Sequence, residues 1–112
     1  MASAVTPGAG MIEHARPATI RNRLGLHARP AAEFVKLAST YEAEIWVDKE
    51  GLEVNGKSIM GVMMLAAEAG SSIRIRAVGP DAARAVDGLV ALVHAGFGEE
   101  IDERIAPAGG VE

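Results

Sequence analysis

The sequence predicts an α+β fold of element order βαββαβα, a four-stranded antiparallel sheet with three helices on one face. Two periodicities carry that expectation. Short stretches alternate apolar and polar residues as half-buried strands do, and the stretches between them repeat apolar residues at helical spacing. A third observation selects the antiparallel arrangement: Arg74 and Arg76 alternate with Ile73, Ile75 and Ala77, giving one polar and one apolar face. Such a strand suits a sheet that is wet on one side.

The elements follow in order. Residues 1–16 are small, Pro/Gly-containing and aperiodic, and read as a flexible N-terminal extension in which Met11 is an alternative start. From Ala18 to Leu24, Ala18, Ile20, Asn22 and Leu24 alternate with Thr19, Arg21 and Arg23, the pattern of a first strand. A helix is expected from Ala28 to Thr40, with Ala31, Phe34, Val35 and Ala38 on its apolar side. Glu44 to Asp48 alternates again. Asp48-Lys49-Glu50-Gly51 reads as a turn, which makes Leu52 to Asn55 the returning strand of a hairpin. Ser58 opens a short helix to Ala67, closed by Gly70. Ser72 to Val78 is a strictly alternating strand, and Gly79-Pro80-Asp81 starts a last helix reaching Ala95. The folded domain is expected over residues 17–100, with 101–112 a C-terminal tail.

Composition excludes several function classes. At 112 residues the chain makes one domain able to bury a core unaided. It has no cysteine, so disulfides and thiolate metal sites are absent, which suits a cytoplasmic protein. The net charge of -4 argues against general nucleic-acid binding, which needs a basic face. No apolar run reaches the roughly 18 residues of a membrane span, so no membrane insertion is expected. Met1 to Gly10 lacks the basic start and apolar core of a secretion signal. No group of His, Asp and Glu has metal-ligand spacing, and neither a metal nor a cofactor is expected.

The chemistry concentrates in a duplicated pentapeptide. His14-Ala15-Arg16-Pro17-Ala18 and His27-Ala28-Arg29-Pro30-Ala31 lie thirteen residues apart, but only the second opens a helix-periodic stretch. Proline is tolerated in a first helical turn, where its missing N–H has no intrahelical role. That places His27 at or near the N-cap, beside the unpaired N–H groups of Ala28 and Arg29 and the positive end of the helix dipole. A neutral imidazole there is a nucleophile beside an anion site, and Arg29 can turn a planar cationic fork toward phosphate oxygens. Gly25 permits a sharp turn and a close approach.

Two blocks then resemble a known family. Asn22-Arg23-Leu24-Gly25-Leu26-His27-Ala28-Arg29-Pro30-Ala31 is similar to the active-site segment of the histidine-containing phosphocarrier proteins (HPr) of the bacterial sugar phosphotransferase system. Asn55-Gly56-Lys57-Ser58-Ile59-Met60-Gly61-Val62-Met63-Met64-Leu65 resembles the same family's regulatory-serine segment, at the expected distance. The resemblance covers residues 18–100. It implies an HPr-like open-faced β-sandwich and a cytoplasmic, monomeric carrier that is a protein substrate more than an enzyme. It implies that His27 accepts phosphate at Nδ1 from phosphorylated enzyme I, itself charged by phosphoenolpyruvate, and hands it to an EIIA-type acceptor. It further implies that a dedicated HPr serine kinase/phosphorylase phosphorylates Ser58 in some bacterial groups.

Read from the residues alone, Ser58 is a helix N-cap, a role compatible with phosphorylation because a phosphate there meets the favourable end of the helix dipole. Ile59, Met60, Val62, Met63, Met64 and Leu65 are too apolar for a short surface helix. Val62, Leu65 and Ala66 are assigned to the core, and Ile59, Met60 and Met63 to a partly exposed docking patch, since methionine adapts to several partners. Lys36 and Lys57 are expected to frame that surface. His94 is read as a dipole partner or a solvated residue, Glu99, Glu100, Asp102 and Glu103 as a solvated run, and Gly79-Pro80 as turn chemistry.

Three functions stay open on the sequence. The first is the sugar-type carrier, whose corresponding segment Lys57-Ser58-Ile59-Met60 resembles. The second is the nitrogen-related regulatory branch, which Asn22-Arg23-Leu24-Gly25 and Gly96-Phe97-Gly98-Glu99-Glu100 resemble. The third is a non-phosphorylated binding module with the same fold, against which the intact trio His27, Arg29 and Pro30 argues.

Overall fold

The structure, a computed structural model, describes residues 12–107. Its strands are β1 (Glu13–Thr19), β2 (Glu44–Lys49), β3 (Leu52–Asn55) and β4 (Ser72–Val78), and its helices α1 (Ala28–Ala38), α2 (Ile59–Met64) and α3 (Ala82–His94). A tight turn with left-handed backbone, Gly96–Gly98, follows α3. All strand pairs are antiparallel, in the order β1-β4-β2-β3. The α+β fold with its open-faced sheet stands as expected.

Alternation decides which face is covered. Ala18, Ile45, Val47, Val54, Ile73, Ile75 and Ala77 are buried on the helix side, where they meet Ala31, Phe34, Val62, Val86, Leu89 and Val93. On the open face Arg76 pairs with Glu53 at 3.1 Å and lies 5.7 Å from the centre of the Trp46 ring. Cation–π and cross-strand charge pairs of this kind keep the wet face ordered without a core.

The first strand is displaced from its expected position. It runs Glu13–Thr19, not from Ala18 to Leu24, so residues 13–16 belong to the sheet and the expected extension to residue 16 is corrected; residues 1–11, with Met11, lie outside the described residues. Its pairing extends from Glu13 opposite Val78 to Thr19 opposite Ser72, so the length of β4 sets its limits. Pro17 fits because β1 is an edge strand, where a missing N–H need not break a ladder. The alternation downstream was a burial signal only in part: Leu24 is 75% exposed, but Ile20 and Asn22 are both fully buried. They simply lie beyond the ladder, in the loop to α1.

Smaller corrections concern helix ends. The first helix stops at Ala38, short of Thr40. The second stops at Met64, not Ala67, because the chain turns at Ala66 into a left-handed conformation at φ 49°. Ala66 is therefore exposed, and Ala67 takes the core position assigned to it. Gly70 does not close the helix; at φ 90° it turns the chain into β4, its N–H donating to the Ile20 carbonyl. Residues 101–107 do not hang free as a tail. Ile101 bridges Asn22, the Asp102 N–H donates to the Arg21 carbonyl, and the Arg21 Nε donates to the Ile105 carbonyl.

Asp81 ties the last helix to the loop between α1 and β2. Its carboxylate accepts the backbone N–H groups of Glu42 at 2.9 Å and Ala43 at 2.8 Å. Burial, the largest single influence, pushes the Asp81 carboxyl up, but these hydrogen bonds outweigh it and hold it below the ordinary aspartate range. A depressed carboxylate stabilises the fold above its unfolded-state pKa, and that contribution fades as pH falls through the folded value. Asp81→Ala should therefore cost about 1–3 kcal/mol at neutral pH. Below roughly pH 4 the difference from wild type should narrow, which urea unfolding at several pH values would measure.

Candidate functional site

The loop after β1 is built to hold one imidazole at a helix start. Asn22 is fully buried and its Nδ2 donates to the Gly25 carbonyl at 2.8 Å. Gly25 adopts φ 73°, and a Cβ added there would lie 2.6 Å from the Ala67 carbonyl oxygen. Only glycine turns that tightly against that backbone. The next residue, Leu26, is buried, and its N–H donates to the same Ala67 carbonyl at 2.9 Å. His27 follows as the N-cap of α1, with extended backbone and no capping bond from its side chain.

The ring is thus available for other partners. The His27 backbone carbonyl accepts the first helical bond, from the Ala31 N–H at 3.0 Å. Of the first-turn residues before Ala31, Pro30 has no N–H, so Ala28 and Arg29 supply the amides that have no intrahelical acceptor. Both residues are exposed, and the His27 side chain is about two-fifths exposed at 39%. An imidazole, two amides and a helix N-terminus share one accessible surface.

One expectation is overturned at this site. Glu99, read as part of a solvated run, has a side chain only 16% exposed and reaches the imidazole. Its Oε2 lies 2.8 Å from His27 Nε2 and accepts from Arg29 Nε at 2.9 Å, while its Oε1 accepts from Asn22 Nδ2 at 2.9 Å. Arg29 is held a second time, its Nη2 donating to the Phe97 carbonyl at 2.7 Å. Burial, the largest influence on the Glu99 carboxyl, pushes it up, yet the hydrogen bonds from Asn22, Arg29 and His27 bring it below the ordinary glutamate range. The carboxylate is therefore ionised at neutral pH and acts only as an acceptor.

Backbone geometry brings Glu99 here. Gly96 at φ 73°, Phe97 at φ 58° and Gly98 at φ 76° turn the chain back over the end of α3, and buried Phe97 anchors the turn. The segment beyond runs antiparallel to residues 21–23, with the Arg23 N–H donating to the Glu100 carbonyl and Arg23 Nε 3.1 Å from the Glu100 carboxylate. The signals in the sequence were Gly96-Phe97-Gly98 directly before the acids and an asparagine at a buried alternation position. Neither reveals that the two segments meet.

The other expected residues are placed as follows. His14 is exposed in β1 opposite Ala77, at the far end of that strand from the loop leading to His27. Ser58 caps α2, its Oγ accepting the Gly61 N–H at 3.0 Å. Ile59, Met60 and Met63 are 43%, 75% and 42% exposed, and Met64, at 65%, joins the same patch. Lys36 is exposed but faces the depression between α1 and α3, beside Glu33, Leu37, Thr40 and Leu92, a different place from the α2 patch. Lys57 donates its Nζ to the Tyr41 carbonyl at 2.7 Å. His94 ends α3, and its Nε2 lies 3.4 Å from the Thr19 amide.

Among the described residues no group of His, Asp and Glu could hold a metal ion, and no helix is long and apolar enough to cross a membrane. The family model described as the phosphorylation site of the PTS HPr component matches residues 14–95. The chain belongs to the HPr family. It is 46% identical over 84 residues to the phosphocarrier protein HPr of Cupriavidus necator, a match covering 75% of this chain and 94% of that one. It is also 40% identical over 86 residues to the phosphocarrier protein NPr of Proteus mirabilis, across 76% of this chain and 96% of that relative. The crystal structure of HPr from Thermoanaerobacter tengcongensis superposes with a TM-score of 0.75 at 44% identity, covering 79% of this chain and 99% of that one. His27, Arg29 and Ser58 lie inside the HPr-matched region, and Glu99 lies just beyond it.

Proposed function

We propose that the chain is a phosphoryl carrier in which His27 accepts a phosphoryl group from phosphorylated enzyme I and passes it to an EIIA-type acceptor domain. The observation that carries this reading is the accessible imidazole at the N-cap of α1, beside the two unpaired amides of Ala28 and Arg29. The helix end and those amides stabilise the anionic group, and the exposed edge of the site lets donor and acceptor proteins reach it in turn. Arg29 can exchange Glu99 for phosphate oxygens, a bidentate partner its planar fork fits well. Ile59, Met60 and Met63, with Met64, form the surface on which partners would dock, in contacts small enough to release. Lys36 would add charge on a neighbouring face. The names of the relatives support the same role, and such a carrier is expected to be cytoplasmic and monomeric.

The test is direct. Incubation with phosphoenolpyruvate and enzyme I should add one phosphoryl group, acid-labile and base-stable, visible by intact mass. Failure with an enzyme I that phosphorylates a known HPr in the same assay would refute the carrier role. The Gly96-to-Glu99 turn, which completes the site, is the block that resembles the nitrogen-type branch, and it supports that branch as the second reading. Comparing sugar-type with nitrogen-type enzyme I as donor would separate the two.

Ser58 carries the proposed regulation. A phosphate on Ser58 would sit at the start of α2 next to the docking patch, adding nearly two negative charges where donor proteins approach. Ser58→Ala should lose the cap and about 1 kcal/mol of stability. Ser58→Asp keeps a capping oxygen, so it should stay as stable as wild type while taking phosphate from enzyme I more slowly. Normal transfer by that variant would leave the serine with the cap alone.

A further inference from the structure

Building on the carrier role of His27, we infer that Glu99 is a positioning residue for phosphoryl transfer: it fixes the ring tautomer that presents Nδ1 to phosphorus and balances the charge that forms there. The proton assignment follows from the contacts. An ionised carboxylate can only accept, so the 2.8 Å contact requires a hydrogen on His27 Nε2. A neutral imidazole has one N–H, which leaves Nδ1 with its lone pair free.

The carboxylate itself is oriented with little freedom. Asn22 uses both hydrogens of its Nδ2, one on the Gly25 carbonyl and one on Glu99 Oε1, leaving Oε2 for His27 and Arg29. Asn22 Oδ1 is buried with no hydrogen-bond partner among the described residues. Leaving a buried carbonyl unpaired is costly, so this amide orientation is held by its two acceptors. The same asparagine therefore shapes the loop that carries His27 and sets the carboxylate that orients its ring.

The transfer step balances without a base. The Nδ1 lone pair forms the N–P bond as the bond from phosphorus to the donor's leaving atom breaks, and that electron pair returns to the donor. The ring keeps its Nε2 hydrogen and becomes an imidazolium. Its positive charge then lies against Glu99. Passing the group onward reverses these changes, so the carboxylate serves both directions and lowers the barrier by orientation and charge, as carboxylate partners of histidines do elsewhere.

The experiment uses the full chain labelled with ¹⁵N. Long-range ¹H–¹⁵N spectra of wild type should show the Nε2–H tautomer at His27, and Glu99→Ala should shift it toward a mixture. Glu99→Gln keeps an accepting oxygen and loses the charge, so it should retain the tautomer yet transfer more slowly. Rates of phosphoryl uptake should fall roughly tenfold in Glu99→Ala, the low end for losing an orienting partner of a histidine. An Nδ1–H tautomer in wild type, or uptake by a folded Glu99→Ala chain as fast as wild type, would overturn the inference. Measuring uptake from phosphoramidate as well as from enzyme I keeps the two proposals apart. Uptake from the small donor alone would sink the partner assignment, while its rates and the spectra still decide the role of Glu99.

Discussion

His27→Ala is expected to abolish phosphoryl uptake from enzyme I, while His14→Ala leaves it unchanged. The two histidines share the same four following residues, so the contrast isolates placement from local sequence. His27 is the N-cap of α1 beside unpaired amides, whereas His14 is followed by five more strand residues, its backbone held in a ladder with β4. No helix start accompanies His14, so a phosphoryl group there would find neither a dipole nor a pair of free N–H donors. The loss in His27→Ala should be chemical and not structural. The side chain makes no capping bond, and Glu99 keeps Asn22 and Arg29, so stability should change by less than about 1 kcal/mol. Intact mass after incubation with phosphoenolpyruvate and enzyme I, with a thermal melt of each variant, would check both halves. Labelling of His14 in place of His27 would refute the site.

Gly25→Ala is expected to be the most damaging small substitution in the site loop. The added methyl would meet the Ala67 carbonyl oxygen at 2.6 Å and the Glu68 Cα at 3.1 Å, at a φ of 73° that alanine disfavours. Left-handed backbone costs about 1–2 kcal/mol and overpacking a further 1–3, so a loss of roughly 2–5 kcal/mol is expected. For a domain of this size that lowers Tm by on the order of 10 °C or more. Relief of the clash would require separating the His27 loop from residues 67–68, which breaks the Leu26-to-Ala67 hydrogen bond and moves the imidazole. Phosphoryl uptake should therefore fall even where the protein remains folded. Gly51→Ala supplies the control. Gly51 has φ 89° but open space around it, so that variant should show the backbone cost alone. Equal losses in the two would mean that the close approach to Ala67 is unimportant.

Most of the fold was legible because it rests on periodicity. The hairpin of β2 and β3, the strand β4 and the helix α3 follow their apolar patterns closely, and the cap at Ser58 follows from one hydroxyl before an apolar run. Local pattern failed where another element set the limit. Residues 13–16 resemble an extension by composition, and only pairing with β4 makes them a strand. Ala66 reads as a helical core residue, but the chain has already turned by then to bring Ala67 inward.

The sequence by itself determined the α+β class, the placement of His27 at the N-cap of α1 with Arg29 in its first turn, and the cap at Ser58. Each depends on residues close together in the chain, where backbone geometry dictates which groups meet. Only the tertiary structure decided that Asn22 and Glu99, far apart in sequence, join His27 and Arg29 in one hydrogen-bonded set. An acidic residue near a chain end is solvated by default. What brings this one inward is the reversal at Gly96-Phe97-Gly98 and the pairing of the following segment with residues 21–23, and no local pattern encodes that meeting.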